Sequence, residues 1–167
     1  LPPLVIAHGL ALAGWLAILY TQTRLVAAKR RDIHRQLGVW GMALAAAILP
    51  ITYLVSMHAT ARNTHPPFSD AANWSAVPLL ALPPMLLMLI MGWRSRMDPQ
   101  AHKRFMLLFT LMTVEPGVGR WPIFPPVMAG HIASSIVAFA FIIPLILWDR
   151  KTIGGLHWAT KWGLGAL

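Results

Sequence analysis

Five apolar runs, separated by short basic or proline-rich segments, constrain this chain more than any other feature. A helix needs about 20 largely apolar residues to cross the hydrocarbon layer of a bilayer. The runs at about 4–28, 37–59, 73–93, 103–120 and 127–148 approach or exceed that length. The first ends at the basic stretch Lys29-Arg30-Arg31-Asp32-Ile33-His34-Arg35. The third contains Pro78, Pro83 and Pro84 and is expected to be kinked or locally unwound. The fourth meets Glu115-Pro116-Gly117, where it is expected to break or to continue irregularly to Arg120. Trp121-Pro122-Ile123-Phe124-Pro125-Pro126 follows as a turn, and the fifth stops at Asp149-Arg150-Lys151.

Composition agrees. Hydrophobic residues make up 57% of the 167 positions and charged ones 11%, where a soluble domain carries about 25% charged residues. Mean hydropathy is +0.60. The predicted fold is all-α: one polytopic membrane helix bundle over residues 1–167, with an interfacial tail at 152–167. The first run, at about 25 residues, is longer than the h-region of a signal peptide and is read as a span.

The 14 basic residues give a formal net charge of +9. They cluster between apolar runs, a pattern suited to anionic headgroups and topology control, and nucleic acid is not an expected partner. With five spans, all of them except Arg62 and Arg120 fall on one side. The positive-inside rule then places the N-terminus outside and the C-terminus in the cytoplasm. Trp74, Trp93, Trp121, Trp148 and Trp158 stand near predicted span ends, as an aromatic belt requires. The setting expected from this bias is a membrane with one cytoplasmic face.

The absence of cysteine excludes disulfides, thiolate-held clusters, c-type haem attachment and thiol catalysis. There is no glycine-rich phosphate loop, no His-Glu-x-x-His and no Ser/His/Asp set, so no reaction is assigned.

The histidines are the main lead. On this topology His8, His58, His65 and His131 lie toward the outside, and His34, His102 and His157 toward the cytoplasm. His34 and His58 are separated by ~36 Å of helix, so one ligand cannot serve both sets. His8 and His131 each enter their spans by about one turn and share a depth, with His58 closing the second span nearby. Neutral imidazole is a common metal ligand and an axial ligand of haem. His8 and His131 are therefore the candidate metal or haem b ligands, with His58 beside them. Ser134, Ser135 and Ala138 add a small face next to His131 that a helix or a flat cofactor could approach. The alternative is that these histidines sit among headgroups and bind nothing.

His65 reads as a solvated loop residue. His34 and His102 open helices, where they stabilise loops, meet lipid phosphate or hold a second cofactor. His157 beside Trp158 reads as an interfacial anchor. Glu115 falls ~18 Å along the fourth run, inside the hydrocarbon layer, where a carboxylate is costly. It is expected to pair with Arg120, or else to relay protons or touch a ligand. Arg120 is the candidate partner of Glu115 or of a cofactor anion. His8, Trp15 and Gln22 recur every seven residues, as a buried face or as a polar stripe toward a cofactor or quinone.

His8-Gly9 with Gln22 and Arg24, His34-Arg35-Gln36-Leu37-Gly38, His102-Lys103-Arg104-Phe105-Met106 with Arg120, and Trp148-Asp149-Arg150-Lys151-Thr152 with Gly155-Leu156-His157 together carry a resemblance. The chain resembles a group of bacterial multi-pass membrane proteins of the domain-of-unknown-function kind. That likeness implies a helical membrane fold and histidines in recurrent places. More loosely, the chain is similar to di-haem b-type membrane cytochromes, although its histidines stand nearer the helix ends. Two functional expectations follow. One is a small redox or electron-transfer component holding haem b or a metal through His8 and His131, with His58, Glu115 and Arg120 near the site. The other is a non-catalytic accessory or assembly subunit of a larger membrane complex or homo-oligomer.

Overall fold

The computed structural model describes residues 2–65, 70–118 and 131–166, without the side chains of 116–118, 131–135 and 137–139. Among them the chain is all helical: α1 (Pro3–Ala27), α2 (Arg31–Ala61), α3 (Ala71–Arg94), α4 (Pro99–Val118), α5 (His131–Ile153) and α6 (Trp158–Ala166). In lipid every backbone N–H and C=O must be satisfied within the protein, and a helix does this from within one segment.

Three of these helices, α1, α2 and α3, are long and apolar enough to cross a membrane, against the five spans expected. The shortfall has a physical reason in α4. Any stretch of its 20 residues long enough to span contains all three of the charged residues Lys103, Arg104 and Glu115. The side chains of the first turns of α5 lie outside the described residues.

Several boundaries also differ from expectation. α2 starts at Arg31, six residues before the expected span, so most of the basic stretch is the first turn of a helix and not a loop. Lys29, with φ of 60°, and Arg30 make the turn before it. α3 is helical throughout, with Pro78, Pro83 and Pro84 inside it, so it is not unwound. α4 continues through Glu115-Pro116-Gly117 to Val118. Arg120 and the proline-rich turn at 121–126 lie outside the described residues.

The helix starts follow from capping chemistry. The Asp98 carboxylate accepts the N–H groups of Gln100 (2.9 Å) and Ala101 (3.2 Å), and Pro99 takes the first position, where no N–H is needed. Asp70 accepts the Asn73 N–H at 2.8 Å in the same way. α5 ends at Gly154, whose φ of 73° is the left-handed turn glycine adopts without strain.

The chain divides into two compact units, residues 1–75 and 76–167, with the division inside α3. In the first, α1 and α2 pack antiparallel. Gly14 meets Leu44, Gly41 meets Ile18 and Gly38 meets Gln22, which fixes the register. A methyl group on Gly41 would stand 2.9 Å from the Ile18 Cγ2, so the close approach depends on glycine there. Trp15, Ala45 and Ile48 are buried. Near the other end the Thr60 and Ser75 hydroxyls hydrogen-bond, joining α2 to the first turn of α3.

In the second unit Met88, Phe105, Leu108, Phe109 and Ile142 form the core. Gly92 of α3 lies against Phe105 and Met106 of α4, and Gly163 of α6 lies against Leu108 and Met88. In the tail, α6 packs on α4: its start, Trp158, meets Phe105 edge-on, and its later Gly163 sits at Leu108, farther along α4.

Candidate functional site

The most organised polar site among the described residues joins the start of α4, the end of α5 and the start of α6. Arg104 and Asp149 form an ion pair whose side chains are 1% and 0% exposed. Arg104 Nε donates to Asp149 Oδ1 at 3.0 Å, and Nη2 donates to the same oxygen. Nη1 donates to the Gln100 carbonyl (2.7 Å) and to Gln100 Oε1 (3.0 Å). Asp149 Oδ2 accepts the His157 backbone N–H at 3.0 Å and the Thr160 hydroxyl at 2.5 Å.

A buried charge is tolerated only when it is paired and its remaining hydrogen-bonding capacity is used. Here both carboxylate oxygens accept twice and all three guanidinium nitrogens donate. Burial alone would raise the Asp149 carboxyl. The hydrogen bonds from Arg104, Thr160 and His157, together with the guanidinium charge, outweigh it and hold the group at about 2, down from 3.8. Its ability to move protons near neutral pH is thereby lost, and what the cluster does is fasten three helices.

His102 and His157 serve the same region. His102 Nδ1–H donates to the Gly92 carbonyl at 2.8 Å, satisfying one of the last-turn carbonyls of α3. His157 Nδ1 accepts the Ala159 N–H at 3.2 Å and so caps α6. His102 thus stabilises a loop, one of the roles expected of it.

The residues singled out from sequence are placed as follows. His8 lies half-buried on α1, and His58 half-buried near the end of α2. Along the α1–α2 register His8 stands level with residues near 51, so His58 is roughly 10 Å farther along the pair. His58 Nε2 is buried without a hydrogen-bond partner. Glu115 is half-buried in α4. The side chain of His131, its neighbours Ser134, Ser135 and Ala138, and the whole of Arg120 lie outside the described residues. The expected Glu115–Arg120 pair and the His8–His131 pair therefore fall there too. Among the described residues no three His, Cys, Asp or Glu side chains come together as a metal site would need.

The stripe of His8, Trp15 and Gln22 has Trp15 buried, and Gln22 Nε2 donates to the His34 carbonyl at 3.1 Å. The Gln22 end of the stripe therefore faces α2.

The cluster that the sequence reading missed was present in it as fragments. His102-Lys103-Arg104 and Trp148-Asp149 both stood out, but Arg104 was counted with the loop cations and Asp149 as a stop. A contact across 45 residues has no periodicity to announce it. No protein-family model, curated protein or solved structure matches the chain.

Proposed function

We propose that this chain is a small integral membrane protein that serves as a non-catalytic accessory or assembly component of a larger membrane complex or homo-oligomer. In this reading it lies in a bacterial inner membrane, with α1, α2 and α3 as its spans and the basic segments between apolar runs toward the cytoplasm. The carrying observation is a ladder on α1. Gly9, Ala13, Ala17 and Thr21 follow one another at one-turn spacing, and all four are exposed. Such small residues let a second helix approach closely in lipid, where packing and not hydrophobicity drives association. Extraction from native membranes in mild detergent is expected to yield a species larger than one chain, and a Gly9→Leu/Ala13→Leu variant to shift it toward monomer. A wild type that is monomeric both in native membranes and in detergent ends the reading.

A second reading rests on the unpartnered His58 Nε2. A buried imidazole nitrogen is suited to a metal or haem iron, and His8, His131, Glu115 and Arg120 are the further residues that the sequence offers for such a group. Such a group supplies one-electron chemistry when bound. The ~10 Å offset between His8 and His58 disfavours these two as ligands of one ion. Absence of a Soret band together with absence of bound metal by elemental analysis would remove this reading.

A further inference from the structure

The Arg104 end of the second unit carries a surplus of positive charge. Arg94, Arg96, Lys103, Arg150, Lys151 and Lys161 are all exposed there. Asp149 is consumed by Arg104, and Asp98 by the cap of α4. The same end exposes Trp93, Trp148, Trp158 and Trp162. Arg96 stacks 4.9 Å over the Trp93 ring, and Lys103 lies 5.9 Å from that of Trp148. Exposed indoles that also hold cations are suited to the headgroup layer of a bilayer.

Between α3 and α6, over the fully buried Met88 and Phe105 of the core, a groove of about 280 Å³ opens beside Leu87, Met91 and Trp162. It shares Leu87 and Trp162 with a wider space of about 470 Å³ that Lys161, Gly165 and Ala166 complete. The lining is apolar side chain and glycine except for Lys161. Lys161 neighbours Thr160, which is anchored at Asp149, so it stands at the level of the cationic end. From Met91 to Leu87 the groove runs along α3 away from that end. The flexible Met91 can conform to an irregular aliphatic occupant.

We propose that this groove holds one anionic glycerophospholipid, its phosphate at Lys161 and the upper part of one acyl chain along Leu87, Met91 and Trp162. A single cation at the mouth of an apolar trough calls for a ligand with one anionic group and a long aliphatic tail, and the surrounding cations favour negative lipid. The proposal rests on the membrane reading, whose failure shows separately as release of the chain by alkaline carbonate.

The test is native mass spectrometry of the full chain released from nanodiscs holding phosphatidylglycerol and phosphatidylcholine at equal mole fraction. Wild type is expected to retain one phosphatidylglycerol in preference to phosphatidylcholine, and excess inorganic phosphate not to displace it. Lys161→Met, which keeps the apolar stem, is expected to cut that preference ~5-fold, and Lys161→Glu further. Gly165→Phe, which fills the trough, lowers retention of both lipids, and Arg62→Glu in the first unit changes nothing. Equal retention of the two lipids by wild type overturns the proposal. So does an unchanged preference in Lys161→Met with wild-type helix content, or a lipid-free dimer occupying the groove.

Discussion

At the scale of single residues, Arg104 and Asp149 carry the strongest commitment in the described structure. Each is fully buried, and each would be costly alone. Arg104→Met is expected to destabilise the protein by about 3–5 kcal/mol, because it leaves an uncompensated carboxylate. The double variant Arg104→Met/Asp149→Leu should recover most of that loss, as apolar replacement of a whole buried pair often does. Denaturant titration followed by circular dichroism in micelles measures both. A double variant no more stable than the single one would show that the pair itself supplies the cohesion. The pH dependence has a definite sign. Since the folded carboxyl lies at about 2, below 3.8, its contribution is complete above about pH 4 and is lost as the pH falls toward 2. The melting temperature should therefore hold from neutral pH to about pH 4 and drop below it, and Asp149→Asn should flatten the drop.

At the scale of elements, α6 is held by two means, the Asp149 hydrogen bonds at its start and glycine packing farther on. Gly163 presses on Leu108, whereas a methyl group on Gly165 would meet nothing within 4 Å. Gly163→Ala is thus expected to cost about 1–3 kcal/mol through overpacking. Gly165→Ala should be neutral or gain up to about 1 kcal/mol from helix propensity. Thermal melts of the two variants compare them directly, and equal melting temperatures would argue against close α6 packing. Elements of this kind were partly legible in advance. The apolar runs located α1, α3 and the end of α2 to within a few residues, because helices long enough to cross a bilayer follow a simple length rule. The start of α2 at Arg31 was not legible, since a basic stretch reads as loop until the helix is seen to project beyond its apolar part. The return of α6 was hidden too, because it depends on Asp149 meeting Thr160 and the His157 backbone.

At the scale of the whole molecule, sequence gave the class and left the site open. Apolar composition implies helices in lipid, and three helices long and apolar enough to cross a membrane are present among the described residues. The histidine sorting instead depends on span count, a property of every segment at once. Single-cysteine labelling at Lys29 and Arg96 is expected to find both positions on one surface of the bilayer, opposite Arg62. Labelling of Lys29 and Arg96 from opposite surfaces would refute the five-span arrangement and the common depth of His8 and His131 with it.

Arg104 also has a history that the finished fold conceals. In a chain made from its N-terminus, it emerges 45 residues before its counter-ion exists. During that interval it is an unmatched cation beside Lys103, of the kind that biases a flank against translocation. Once Asp149 arrives, the same guanidinium disappears from the electrostatics of the surface and becomes a rivet. One side chain is thus a bare cation early and a point of cohesion late, without changing its charge.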